Sequence, residues 1–277
     1  MKRIVRIFLI IGIASTIVGS AILVTAIETS KGDMNVIFNT YTEDIVLEES
    51  SSYDAATVDV SLHNANIELE YSDTVDVVTV VYRQIRDFRG ESAYTPKKTQ
   101  DKTLFKITEE ETGSFIVGAR FTTPTVTVIL PTNRRYHSIS LITENGWIKV
   151  DEQPTFLHTT VFYLATENGK IDIQPLAAEK VTATTENGAI SAKGVTANEA
   201  TFTTENGKIS IEEADVESLT VRSELGSITA TLAGLYTDYS VDIDISLGRC
   251  NIEQRSGGER KLKITCELGS INVSFLG

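Results

Sequence analysis

The sequence predicts an all-β protein: a right-handed parallel β-solenoid preceded by one N-terminal transmembrane helix. Three observations carry that expectation. The tetrapeptide Thr-Glu-Asn-Gly ends at Gly146, Gly169, Gly188 and Gly207 and decays through Ser-Glu-Leu-Gly226 and Ser-Leu-Gly248 to Glu-Leu-Gly269. The successive spacings of 23, 19, 19, 19, 22 and 21 residues fall in the range of stacked supersecondary units. Apolar residues alternate on both sides of these glycines, and a long run without charge opens the chain.

The opening run comes first. Lys2, Arg3 and Arg6 precede the stretch Ile7 to Ile27, which contains no charged residue. At a rise of about 1.5 Å per residue it spans roughly the 30 Å hydrocarbon core of a bilayer. Positive charge on its N-terminal side predicts a single-pass signal-anchor over residues 1–30, with the N-terminus cytoplasmic and the chain beyond about Glu28 extracellular. Val24-Thr25-Ala26 loosely resembles a cleavage site, so a removed signal peptide stands as the alternative. Residues 31–55 read as a juxtamembrane linker and cap.

Residues 56–277 read as the repeat domain. Seven positions before the glycine stand Ile139, Phe162, Val181, Ala200, Leu219, Val241 and Leu262, and two after it stand Ile148, Ile171, Ile190, Ile209, Ile228, Cys250 and Ile271. Period-two alternation rich in β-branched residues means a strand on each side, and the change of inward parity across Glu-Asn-Gly means a corner. Glycine there is expected to supply a positive φ, and asparagine to tolerate one. Asn-Gly also suits a β-hairpin, so a ladder of hairpins competes with a parallel solenoid. Near-identity of successive repeats favours the solenoid, in which like residues stack about 4.8 Å apart. Asn145, Asn168, Asn187 and Asn206 then form an amide ladder, and Leu225, Leu247 and Leu268 replace it as a block. An earlier copy runs through Val58, Val60, Leu62 and His63-Asn64-Ala65 to Ile67 and Leu69. The interval from Ala65 to Gly146 has room for about three degenerate turns, including Val78 to Tyr82, Leu104 to Thr108 and Val126 to Leu130.

The chain carries a formal net charge of −13, which disfavours nucleic acid as a partner because phosphate-binding surfaces are basic. Two cysteines, Cys250 and Cys266, are too few for a disulfide framework and lack zinc-site spacing. Both fall on inward positions, which leaves open whether they are paired or are two buried thiols. His63, His137 and His158 show no metal or triad spacing. No phosphate loop, nucleophile elbow or metalloprotease helix is present in the sequence, so no catalytic residue and no cofactor are expected.

Three features are candidate sites. Glu144, Glu167, Glu186 and Glu205 form a carboxylate column, continued by Glu224 and Glu267, which either binds divalent cations or is a screened, solvated face. An insertion at about 83–102 breaks the strand pattern and is locally basic, with Arg83, Arg86, Arg89, Lys97, Lys98 and Lys102 interleaved with Tyr82, Phe88 and Tyr94. It reads either as a solvated loop or as a grip on an anionic wall polymer, lipid headgroup or acidic protein. Trp147, the only tryptophan, follows the first full repeat and either stacks on a sugar or covers an edge.

The run Val126-Thr-Val-Ile-Leu-Pro131, followed by Ile139-Ser-Leu-Ile-Thr-Glu-Asn-Gly146-Trp-Ile-Lys-Val150 and its copies, resembles the bacterial putative-adhesin family of β-strand repeats, also called toastrack domains. The resemblance covers about residue 56 to the end. It implies an extracytoplasmic β-solenoid at the cell surface, in a family whose members are often membrane-anchored and sometimes belong to Gram-positive envelope-stress systems, and it supplies no catalytic residues. The function expected is therefore a non-catalytic surface module that binds or senses an envelope component or partner protein. The rivals are a carbohydrate-active β-helix enzyme, drawing acid and base from the Glu column or from Asp172, Asp242 and Asp244, and a structural or oligomerising stalk with Phe275 and Leu276 at its end. The sequence leaves the oligomeric state open.

Overall fold

The computed structural model describes residues 43–50, 56–86, 92–94, 96–101, 103–109, 123–155, 157 and 159–277, with side chains for all of these except 43–50, 84–86, 92–94 and 96. The expected transmembrane segment and most of the linker lie outside the described residues. No helix among the described residues is long and apolar enough to cross a membrane. Two compact units are distinguished: a smaller one of residues 1–45, 84–94 and 112–122, and a larger one of 46–83, 95–111 and 123–277. In the smaller unit the described feature is an antiparallel contact of Ile85 with Tyr94 and of Arg86 with Ser92.

The larger unit is a stack of parallel coils, as the near-identity of the repeats predicts. Strands that precede the corner lie in the order Leu104–Glu109, Thr57–Leu62, Tyr136–Thr143, Thr159–Asn168, Leu176–Asn187 and Val195–Asn206. The later part of Ile209–Leu225, the first part of Arg260–Phe275 and finally Tyr239–Cys250 complete this face. Strands that follow the corner stack as Thr125–Pro131, Asn66–Ser72, Ile148–Val150, Ile171–Ile173 and Ile190–Lys193. The start of Ile209–Leu225, then Ile228–Leu232 and the end of Arg260–Phe275 continue it. The inward columns form the core: Ile148, Ile171, Ile190, Ile209, Ile228 and Ile271 are buried, as are Phe162, Val181, Phe202 and Val221. Each such side chain contributes roughly 1.5–3 kcal/mol by leaving water.

The coil closes through two further corners. One falls at Gly194, with φ +60°, and at Glu213 of the next coil, with φ +55°. The other is a parity change in Val195–Asn206, where Val195 and Ala197 point inward, Asn198 and Glu199 outward, and Ala200 inward again.

The stack differs from chain order in two places. Gly146 lies directly on Ala65: a Cβ built on Gly146 would be 2.1 Å from the Ala65 carbonyl oxygen. The expected degenerate turns therefore do not separate these coils. Leu104–Glu109 and Thr125–Pro131 sit instead on the far side of the Ala65 coil, and Thr79 to Tyr82 runs antiparallel to Thr125–Pro131. At the other end, the Gly269 coil is inserted between those of Gly226 and Gly248. After Cys250 the chain doubles back, pairing Arg255 with the outer edge of Val241, and Arg260–Phe275 re-enters the stack beneath. The insertion at 83–102 is also not a loop throughout, since Pro96–Gln100 is a strand antiparallel to Leu104–Glu109.

Candidate functional site

The corner tetrapeptide resolves into three scaffold roles and one surface residue. The inward threonine hydroxyl donates to the carbonyl of the preceding corner: Thr143 to Ala65 at 2.7 Å, Thr166 to Gly146 at 2.8 Å, Thr185 to Gly169 and Thr204 to Gly188 at 3.0 Å. Ser223 and Cys266 keep the donor, reaching Gly207 at 3.1 Å and Gly226 at 3.3 Å. The asparagine amides form the expected ladder and extend it by one member, Asn64, with every link 3.0 Å long. Gly226 and Gly248 adopt the expected positive φ, at +153° and +154°, but at the four Asn-Gly corners the glycine is required for close approach instead. Gly146, Gly169, Gly188 and Gly207 are outside the positive-φ set, yet a Cβ on Gly169, Gly188 or Gly207 would lie 1.9 Å from the carbonyl oxygen of the preceding glycine.

The glutamate is the member left on the surface. Glu144 is 2.7 Å from His63 Nδ1, and Arg222 reaches Glu224 at 2.9 Å and Glu267 at 3.5 Å. Glu167, Glu186 and Glu205 are exposed. Among the described residues, the acidic groups that converge within 4.8 Å are Glu68, Glu70 and Asp151 on the adjacent face. Lys149 occupies that cluster, with its ammonium 2.7 Å from Glu68 and 2.9 Å from Asp151. Hydrogen bonds to those two carboxylates raise the Lys149 pKa. Burial, then the charges of Glu68 and Asp151, push Glu70 above the usual carboxylate range. A resident ammonium makes this a closed charge cluster rather than an open cation cradle.

The basic segment is divided between the two units. Arg83, Lys97 and Lys98 belong to the larger, with Lys97 and Lys98 placed opposite Thr108 and Ile107. Arg86 belongs to the smaller, where its backbone alone is described, and Arg89 and Lys102 lie outside the described residues. Trp147 is half-buried at the corner, its backbone N–H donating to Asn66 Oδ1 at 3.1 Å and its carbonyl accepting from the Ile67 N–H at 2.9 Å. Cys250 and Cys266 are both free thiols. Burial raises the Cys266 pKa, and its Sγ fills the threonine position of its coil.

A groove lies elsewhere, along the parity-changing corner. A groove of about 730 Å³ crosses successive coils from Ala56 to Arg260. Its floor is made of small residues in register, Thr159 beside Ala178 and Ala178 beside Ala197. Arg135 and His137 stand at one end, and Glu179, Asn198 and Glu217 line the wall. Arg260, at the other end, is fixed by Asp215 at 2.7 Å and the Tyr239 hydroxyl at 3.2 Å. Sequence reasoning missed this groove because alanine and threonine carry no chemical signature. The trace it left was the small-residue column one corner away from the repeat.

A family model described as Toastrack DUF4097 matches residues 56–276. Among solved structures, a putative adhesin from Bacteroides fragilis aligns at 16% identity and a TM-score of 0.54, covering 85% of this chain and 99% of that one. A putative adhesin from Parabacteroides distasonis aligns at 12% identity and a TM-score of 0.47, covering 85% and 99%. A putative lipid binding protein from the same species aligns at 12% identity and 0.46, covering 85% and 97%. No curated protein matches the sequence.

Proposed function

The chain belongs to the toastrack DUF4097 family, and from that premise we propose that it is a non-catalytic, membrane-anchored extracytoplasmic module that binds an extended component of the cell envelope. The groove of about 730 Å³ carries this reading. It runs along the stack and is floored by small side chains over several coils, a shape that accepts a linear polymer rather than a compact metabolite. Three of the four motif residues are spent on the scaffold, since threonine, asparagine and glycine all serve contacts between coils. In this reading the run Ile7 to Ile27 anchors the chain with its N-terminus cytoplasmic, and the coil winds right-handed, as parallel crossovers do. The cationic residues of 83–102 add a contact to anionic polymer or headgroups, and an envelope-stress role follows from occupancy of the groove.

A carbohydrate-active enzyme is less well supported. Asp172 bonds Gln174 at 3.1 Å, and Asp242 lies 3.9 Å from Lys263; neither lines the groove.

The test is capture from native envelopes by the immobilised full chain, by Thr196→Trp/Asn198→Trp, which fills the groove, and by Lys97→Glu/Lys98→Glu. A polymer, lipid or protein enriched by the intact chain and lost with the groove variant is the expected result. Equal enrichment by both removes the groove from the mechanism, and no enrichment over bare matrix overturns the binding role.

A further inference from the structure

The glycine corners pass hydrogen bonds from coil to coil. The N–H groups of Gly188, Gly207 and Gly226 donate to the carbonyls of Asn206, Leu225 and Leu268 at 3.1, 2.9 and 3.0 Å. Their carbonyls accept the side chains of Thr204, Ser223 and Cys266. Gly248 sits on the terminal coil, stacked on Gly269, with no coil beyond it among the described residues. One half of this terminal edge is closed. Arg255 exchanges hydrogen bonds of 2.7 and 3.0 Å with Val241, and Gln254 Nε2 donates to the Ile243 carbonyl at 2.7 Å. From Asp244 to Arg249, no strand among the described residues pairs with the outer edge. Backbone groups of Val241 and Ile243 face outward there, so those of Ile245 do so too.

The same end gathers exposed apolar surface. Leu225, Leu268 and Leu247 are adjacent in register and 51%, 49% and 66% exposed. With Leu235 and Leu276 they are the exposed leucines among the residues whose side chains are described.

We propose that a second copy of this chain completes the coil, through the same edge segment run antiparallel across a two-fold axis between Ser246 and Leu247. A two-fold contact must be self-complementary, and this register is. It sets Ile245 against the partner's Gly248, where both residues present outward N–H and C=O groups. It sets Asp244 against the partner's Arg249, twice; both are exposed, and neither has an ion pair among the described residues. A slip of one residue puts Asp244 opposite Gly248 or Cys250 and loses both charge pairs. Leu247 then meets the partner's Leu247 diagonally, joining the two leucine columns end to end. Head-to-tail growth lacks a matching surface, because the far end of the stack carries antiparallel Pro96–Gln100 and Thr79 to Tyr82 instead of a parallel coil. The inference is independent of what the groove binds.

Sedimentation velocity of the full chain in micelles of known mass, over a range of concentrations, tests it. The unaltered chain is expected to dimerise. Asp244→Arg should weaken the dimer about tenfold or more by facing two like charges, as Arg249→Asp should, and the double exchange Asp244→Arg/Arg249→Asp should restore it. Both substitutions are on exposed edge positions, and unchanged melting temperatures of all three variants verify the fold. A chain that stays monomeric overturns the proposal, as does a dimer insensitive to the single exchanges or one not rescued by the double.

Discussion

Asn145 Nδ2 donates to Asn64 Oδ1 at 3.0 Å although 81 residues separate them in the chain. The link is the first rung of a ladder that continues through Asn168 and Asn187 to Asn206 with unchanged geometry. Each of the three inner amides, Asn145, Asn168 and Asn187, uses one donor toward the preceding coil and one acceptor toward the next, so the column is directional and its members depend on their neighbours.

Interrupting the ladder should therefore cost more than its exposure suggests. Asn168→Leu removes the donation to Asn145 and the acceptance from Asn187 and should lower stability by about 1–2 kcal/mol, at about 1 kcal/mol per net hydrogen bond. The reverse change, Leu225→Asn, places an amide in register with Asn206 and should raise stability by about 0.5–1 kcal/mol. Urea denaturation of both variants measures this, and a destabilised Leu225→Asn would show that the ladder ends at Asn206 for a reason other than composition.

Gly188→Ala should be far more damaging than an ordinary glycine replacement in a strand. The added methyl would lie 1.9 Å from the Gly169 carbonyl oxygen, a backbone atom held by its own coil, so the coils must separate. Overpacking of this kind costs about 3 kcal/mol, and the same denaturation experiment reads it. Ala65 marks the place where a methyl is tolerated. On its outer side the Glu109 carboxylate accepts the His63 and Asn64 N–H groups at 2.8 and 2.9 Å.

The corner, the stacking and the Asn ladder were legible because each repeats one residue type at one position, and only contact between successive coils explains that. The partner of the threonine hydroxyl was hidden, since it is a backbone carbonyl and leaves no letter. Coil order near the end was also hidden: the intervals before Gly248 and Gly269 look like short insertions, whereas they hold the return through Arg255 that places Arg260–Phe275 under Tyr239–Cys250. One residue did mark the reversal. Ile245, three before Gly248, carries no donor, whereas Cys266 keeps one. The groove was illegible because Ala178 and Ala197 matter by being small.

Thr185→Val keeps the shape of a buried side chain and removes the donor to the Gly169 carbonyl. An acceptor left without that bond costs about 1–3 kcal/mol, whereas Thr185→Ser, which copies Ser223 of a later coil, should cost about 1 kcal/mol at most. Equal losses for valine and serine would mean that methyl packing, not the hydroxyl, sustains the column.

Glu213 holds φ +55° at the corner where the preceding coil has Gly194. A side chain in the left-handed region is strained by roughly 1–2 kcal/mol, so Glu213→Gly should stabilise the chain, by about 1 kcal/mol once the freedom gained by the unfolded glycine is set against it. A higher urea midpoint with unchanged slope is the expected reading.

Glu70 gives the stack a pH dependence with a definite sign. Its folded pKa lies above the ordinary value of 4.5, first through burial and then through the charges of Glu68 and Asp151. The folded state therefore binds this proton more tightly than the unfolded one. Its favourable contribution is fully present below 4.5 and is lost as pH rises through the elevated folded value, above which an ionised Glu70 is held beside two other carboxylates. Glu70→Gln removes the charge and should raise the melting temperature at pH 7.5, with the advantage disappearing at pH 4, where the native residue is protonated as well. Lys149, bonded to Glu68 and Asp151, offsets part of the repulsion, so Lys149→Met should enlarge the gain from Glu70→Gln at pH 7.5. Melting curves of the four combinations at both pH values form a cycle, and strict additivity would show that Glu70 and Lys149 do not share a cluster.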